Sequence, residues 1–455
     1  MRGGCSFMVS RPANVARRPQ AVDLHREKTR EPPPRRGCGV VRLGRSKGDV
    51  RSPYWAGHGD WGVVRHTHEQ DDGAQRMGLT MDLDDRLPDV LEVARSHARE
   101  VDLDGRFPAE SVSALRQSGL LGLTLPEDVG GLGGGPRELI TVLTSLAGAC
   151  GSTAMIYLMH VSAAMPIVAA PPPGLPKLLH QLADGSTLGS LAFSEAASRS
   201  HFWAPVSRAH SDGQTVSINA KKSWVTSAGE ADVYVISTLS APDDADEGSV
   251  DLFVVPADTP GLKVASPWRG MGLRGNASSP MSVEVNVPAD YRVGEPGSGF
   301  GAMLQVVMPW FNLGNSSVSL GLAAAAVEAA IQHCTASRLE HLDQSLAALP
   351  TIRAQLAKMA IDLAMARAYL DVAADRVSDP QDDTPLFVLG VKAATNDTAL
   401  RVTDGAMRVC GGAAFSEHNK VARYFKDARA GAVMAPTADV LYDFYGKAIT
   451  GQPLF

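Results

Sequence analysis

The hydrophobic period changes twice along this chain, and that constrains the fold more than any other feature. From Leu83 to about Ala170, "LPDVLEVARSHAREV" and "PAESVSALRQSGLLGL" carry apolar residues at i, i+3, i+4 and i+7, the spacing of helices with one buried face. "PPPGLP" stops that pattern. From Leu188 to about Val287 the period moves toward two, in "SLAFSE", "TVSINAKKSWVTS", "DVYVISTLS", "VDLFVVPA" and "MSVEVNVP", which predicts a compact antiparallel β domain. Beyond Gly297 long helices return, broken near "EHLDQSLAALP", "SDPQDDTP" and "CGGAAFSEHNK". The expectation is a mainly α chain with a central antiparallel β domain (α+β). Its parts are a helical segment over 83–186, a β segment over 187–293 and a helical bundle over 297–449. No βαβ alternation occurs, so "GGLGGG" and "GEPGSGFG" read as turns rather than dinucleotide loops.

Residues 1–76 stand apart. They are rich in Arg, Pro and Gly, with no sustained apolar period, and bury too little to offset chain entropy. They read as an upstream extension or a disordered tail. The chain as a whole, 455 residues and 44% hydrophobic, is ample for a large core. A net charge of -6 carries no global signature for nucleic acid or a membrane surface. Five scattered cysteines suggest neither metal nor disulfide framework, which fits a reducing cytoplasm. No apolar run reaches the ~18 residues of a span.

Chemistry is best sought in "LAFSEAASRS" and "KKSWVTSAGEAD". A planar redox cofactor needs an aromatic wall and short donors that reach its ring edge without bulk. Trp224 and Thr226 supply such groups, although the same residues on a strand also serve as core packing.

The order "PEDVGGLG", "STAMIYLMH", "LAFSEAASRS", "KKSWVTSAGEADVYV", "MGLRGNASSPMSVEVNVPADYRVGEPGSGFGAML" and "RVCGGAAF" resembles the acyl-CoA dehydrogenase family over about Leu83 to Ile449. The resemblance implies an N-terminal helical domain, a middle β domain and a C-terminal four-helix bundle that hold FAD between them. It implies FAD contacts from Phe193, Ser194 and Ser200, with Trp224 and Thr226 beside the ring. It also implies contacts from Arg338, Gly411 and Gly412 across a homodimer or homotetramer interface, and from Thr437 at the head of the last helix. The implied substrate is an acyl thioester on CoA or an acyl-carrier protein, with an electron-transfer partner.

Departures from the family pattern fall on the same site. His341 and Leu342 stand where Phe-Gly of an Arg-x-x-Phe-Gly motif is expected, and Pro350 and Arg408 replace glutamines. Asn312 replaces an Arg, and "EAASRSH" replaces a Gly-rich turn. The family's catalytic Glu precedes the last helix; Ala435 holds that position here, and Phe311 holds the alternative address. Among other candidates for a base, His160 in "YLMHVSA" is placed by the resemblance in the acyl-pocket segment, against the ordinary reading of a satisfied core histidine. Glu195 reads as structural, Asp439 as support for a helix N-terminus, Asp427 and Arg429 as an ion pair, and His418 as surface. Three functions stay open: acyl-thioester dehydrogenation, flavin-dependent monooxygenation with reduced FMN or FAD from a partner reductase, and a silent flavin-binding paralogue.

Overall fold

The computed structural model describes residues 72–198 and 201–455, with side chains from 83 onward; most of the 1–76 segment therefore lies outside the described residues. Helices α1 (Asp72–Asp104), α2 (Ala109–Gln117), α3 (Pro136–Ala149), α4 (Gly151–Ala169) and α5 (Leu178–Ala183) come first. Strands β1 (Gly189–Ala192), β2 (Ala209–Ser211), β3 (Thr215–Val225), β4 (Val233–Leu239), β5 (Val250–Pro256), β6 (Leu262–Val264) and β7 (Ser279–Pro288) follow. Then come α6 (Gly299–Ala302), α7 (Met308–Ala336), a small hairpin of β8 (Arg338–Leu339) and β9 (Gln344–Ser345), α8 (Pro350–Ser378), α9 (Thr384–Cys410), α10 (Val421–Val433) and α11 (Ala438–Thr450). This is the helical, β, helical arrangement that the changes of period predict. The loop at Gly130–Gly135 is a turn, with left-handed backbone at Gly130 and Gly133.

The β region holds two sheets, in orders β1-β4-β5 and β2-β3-β7-β6. One pairing differs from the antiparallel expectation: β1 runs parallel to β4, from Gly189 opposite Val233 to Ala192 opposite Ile236. The other pairings among β1–β7 are antiparallel. Val216, Ile218, Tyr234, Ile236, Phe253, Val283 and Val285 fill the space between the sheets. On β3 every second residue faces inward, Val216, Ile218, Ala220 and then Lys222, so strand alternation itself carries a lysine into the core.

Two helical stretches, Gly151–Ala169 and Gly299–Ala336, are long and apolar enough by length and composition to span a membrane, which corrects the sequence reading. They are 89% and 56% buried inside the protein, and α4 is the core helix of its neighbourhood. The second stretch widens into a π turn at Met303–Val307, next to Pro309, a residue that has no N–H to donate to the helix ladder.

Small residues let α7 approach its neighbours closely. A Cβ on Gly321 would stand 2.3 Å from the Thr144 carbonyl oxygen on α3, closer than any carbon–oxygen contact allows. At α4, His160 joins the helical part to β1. The Gly189 N–H donates to its Nδ1 at 3.0 Å, and its Nε2 lies 3.0 Å from the Leu121 carbonyl oxygen. The ring is therefore the Nε2–H tautomer, fully buried, with both nitrogens engaged. No nitrogen is left to take a substrate proton, so the structure gives the proposed base role no free lone pair. Burial holds its pKa down to about 4.

Two measurements follow from this packing. Gly321→Ala forces α3 and α7 apart, and the urea midpoint should fall by the equivalent of roughly 1–3 kcal/mol. For His160, the unfolded chain takes up a proton near pH 6.5 that the buried ring refuses until about pH 4. Its contribution is fully present above that window and is lost as the pH falls through it, by about 3 kcal/mol. His160→Gln should flatten stability between pH 6.5 and 4 relative to the parent; an unchanged slope there would refute the assignment.

Candidate functional site

A break in the β3–β7 ladder builds the first part of the site. Pairing shifts between Lys222 and Val225, and the extra residue turns the strand as β-bulges do. Trp224 sits in the left-handed region at φ 58° and Ser227 at φ 56°. A bulky residue there is a backbone outlier, of the kind held in place by its surroundings at functional sites. The indole of Trp224 is turned off the sheet and 66% exposed, nearly perpendicular to Trp268 with the ring centroids 5.9 Å apart. Thr226, between the two strained residues, is buried, and its Oγ1 lies 3.0 Å from Ser278 Oγ. Ser190 Oγ donates to the Thr226 carbonyl at 2.6 Å, which ties β1 to this segment. The hydroxyl of Ser227 is buried with no partner among the described residues.

Phe193, Ser194 and Glu195 leave β1 beside the same bulge. The Ser223 N–H donates to the Ser194 carbonyl at 2.8 Å, and Phe193 stacks on Phe202 at 6.2 Å. Ser200 lies outside the described residues. Buried Lys222 donates to Glu195 Oε1 at 2.7 Å and to the Ser237 carbonyl at 2.6 Å. The Glu195 carboxylate also accepts the Val206 and Ser207 N–H groups at 3.0 Å each. Glu195 is thus structural, as the sequence suggests: it fastens the loop after β1. Burial pulls the Lys222 pKa down to about 8, opposed by the adjacent carboxylate. Removing one partner of such a pair typically costs 3–5 kcal/mol.

The second part is the turn between α10 and α11. Ala435 is half-buried, and Thr437 is the N-cap residue of α11 without a side-chain capping bond. Lys392 of α9 reaches this turn from behind and donates to the carbonyls of Gly431, Met434 and Pro436 at 3.0, 3.1 and 2.8 Å. Asn315 of α7 donates to Met434 Sδ at 3.8 Å, while its own buried carbonyl oxygen has no partner. Phe311 is buried one turn earlier on α7. Neither Ala435 nor Phe311 brings a titratable group to the turn. The Asp427–Arg429 ion pair is corrected: Asp427 accepts the Leu273 N–H at 2.7 Å, and Arg429 donates to Thr403 Oγ1 at 2.7 Å. Residues two apart point to different sides of a helix. Burial raises the Asp427 carboxyl to about 6. Asp439 and His418 are exposed.

The third group lies on exposed surface. Gly411 ends α9 at φ 58°, where only glycine is unstrained, and Gly412 follows. Arg338 follows α7 and pairs with Asp343. Among the described residues, no hydrogen bond joins these residues to Trp224, Thr226 or the 434–437 turn. The pieces fit a flavin. An exposed indole face on strained backbone would back a planar ring, and the orphaned Ser227 hydroxyl with the Thr226–Ser278 pair offers donors to its edge. Sequence reasoning missed Lys392 and Ser278; a lone lysine inside "FVLGVKAATN" was the available signal.

Three family models match in chain order: the N-terminal domain of acyl-CoA dehydrogenase over residues 90–172, the middle domain over 190–285 and the C-terminal domain over 297–450. Cyclohex-1-ene-1-carbonyl-CoA dehydrogenase of Geobacter metallireducens is 30% identical over 376 residues, 82% of this chain and 97% of that protein. Butyryl-CoA dehydrogenase of Megasphaera elsdenii has a similar structure, with TM-score 0.75 at 24% identity, covering 83% of this chain and 98% of that one. FMN-bound TdsC from Paenibacillus sp. A11-2 gives TM-score 0.73 at 22% identity, over 82% and 97%. The three models, and a relative matched along nearly its whole length, show that the chain belongs to the acyl-CoA dehydrogenase family.

Proposed function

We propose that the chain holds FAD against the Trp224–Thr226 segment and oxidises an acyl thioester, carried on CoA or an acyl-carrier protein, across its α and β carbons. The observation that carries this reading is the strained bulge, which presents an indole face beside buried hydroxyls. FAD, when bound, supplies the acceptor for the β-hydride. Trp224 backs the ring, and the hydroxyls of Thr226, Ser278 and Ser227 hydrogen-bond its edge, steadying charge that develops there. Thr437 faces the same cofactor from the head of α11. Arg338, Gly411 and Gly412 are exposed, which suits closure by a second copy in a homodimer or homotetramer. Residue 435 lacks a carboxylate, so the α-proton passes to another acceptor or to water. A positioned base is worth about 10²–10⁴-fold, and slow turnover follows unless the substrate's α-carbon is unusually acidic. Three buried, unbridged thiols, Cys150, Cys334 and Cys410, fit a cytoplasmic location.

Flavin-dependent monooxygenation is the second reading, with reduced flavin delivered by a partner reductase. It is favoured by apolar residues at both addresses of the base, Ala435 and Phe311, since that chemistry needs no carboxylate there.

The two separate in one experiment. The purified protein is expected to retain yellow FAD that bleaches anaerobically with at least one acyl thioester. Thr226→Val should slow that bleaching by roughly 10-fold or more. Flavin lost on purification, with product formed only with oxygen and a reductase, would replace the first reading with the second. Stable flavin that never bleaches would leave a silent paralogue.

A further inference from the structure

Cys334, in the last turn of α7, and Cys410, the last residue of α9, are distant in sequence but meet in one buried spot. The Cys334 S–H donates to the Val409 carbonyl at 3.6 Å, and the two thiols are hydrogen-bonded to each other. Asn419 closes the group. Its side chain hydrogen-bonds the Cys410 thiol, and its Oδ1 accepts the Val421 N–H at 2.9 Å where α10 begins. Cys150 is equally buried, but its neighbour is Thr153 rather than a thiol.

The pair lies under surface that the proposed function assigns to a second copy. Arg338 comes just after Cys334, and Gly411 and Gly412 directly follow Cys410. The cover over Cys410 is thin: in the turn Gly411–Phe415 only Ala414 is buried, and Phe415 is 90% exposed. A turn held by one buried side chain opens at low cost. Burial raises both thiols above their ordinary range, Cys410 to about 11. The closed pair is therefore protonated and unreactive, and its chemistry begins when the turn opens.

We infer that Cys334 and Cys410 are a modification site, a dithiol that hydrogen peroxide closes to a reversible disulfide when the 411–415 turn opens. One thiolate attacks a peroxide oxygen; the O–O bond breaks, a sulfenic acid forms, and hydroxide takes a proton and leaves as water. The second thiolate attacks that sulfur, the S–O bond breaks, and a second water leaves. Together the sulfurs give up two electrons and the peroxide accepts them. The new bond ties the end of α7 to the end of α9 and removes the S–H that the Val409 carbonyl accepts. It thereby shifts Gly411 relative to Arg338. Transient disulfides of this kind are the ones found in reducing compartments. The bridge stands apart from the flavin reading, while its effect on a second copy rests on that reading.

The test uses the full chain with Cys5→Ser and Cys38→Ser, treated with hydrogen peroxide, unfolded in an alkylating reagent and mapped by peptide mass. Cys334 and Cys410 should be found joined, lighter by two hydrogens and separated by dithiothreitol. Both thiols should disappear together, at least about 10-fold faster than Cys150. Loss no faster than that of Cys150, or sulfinic and sulfonic acids at 334 or 410 without a bridge, overturns the site. Sedimentation of the reduced and oxidised forms reads the consequence. The oxidised form should self-associate roughly 10-fold more weakly, with dithiothreitol restoring the parent behaviour. Unchanged association overturns the effect on the interface. If the reduced protein holds flavin yet stays a monomer, the second-copy reading falls and that effect with it, while the mass map still decides the bridge.

Discussion

The contact of α7 with α3 at Gly321 is the constraint on which the remaining helices depend. A backbone-to-backbone approach of this kind is open only to a helix that carries almost no side chain on that face, and "NLGNSSVSLGLAAAA" supplies one. Once α7 is seated, α9 packs along it through Asn312, whose Nδ2 donates to the Val388 carbonyl at 2.8 Å, and Ser319, which donates to Asn396 at 2.6 Å. Helix α10 follows, because Asn396 Nδ2 donates to the Gly431 carbonyl at 3.0 Å. The turn at 434–437 is thus placed by a chain of contacts that begins more than one hundred residues upstream, at Thr144 and Gly321.

Polar groups in the core serve as joints between parts that hydrophobic packing alone would leave free to slide. His160 joins α4 to the start of β1, Lys222 with Glu195 joins β3 to the loop after β1, and Lys392 joins α9 to the last turn. Each is a group that costs free energy when buried and recovers it only with its partners in place. Such joints favour one arrangement over compact alternatives, because a shifted register leaves a donor or charge stranded.

The change of period made the order of helices and strands legible before any coordinates, and the alternation on β3 gave the inward residues. The parallel pairing of β1 with β4 was not legible, since two strands intervene and period two does not reveal direction. The segment proposed to wall the cofactor stands out by residue type, a Trp and a Thr two apart beside small hydroxyls. Its defining feature, left-handed backbone at Trp224 and Ser227, arises from a register shift against β7 that local sequence does not encode. His160 misled because the partners of its ring, Leu121 and Gly189, lie 39 and 29 residues away. Lys392 was overlooked for the same reason: its three acceptors are 39 to 44 residues downstream.

The parallel pairing has an evolutionary consequence. Strands that run in one direction release their following loops at the same edge, so the loop after β1 and the loop after β4 emerge side by side. Leu239 N–H donates to the Ser207 carbonyl at 2.8 Å, and Arg208 donates to the Ser240 carbonyl at 3.1 Å. Both loops begin where the sheet ends, but the one after β1 also meets the bulge on β3, where the Ser223 N–H donates to the Ser194 carbonyl at 2.8 Å. An insertion or deletion in the loop after β4 would remodel the rim without reaching that bulge, whereas one beside Ser194 would reach it, so the two loops are not equally free to vary.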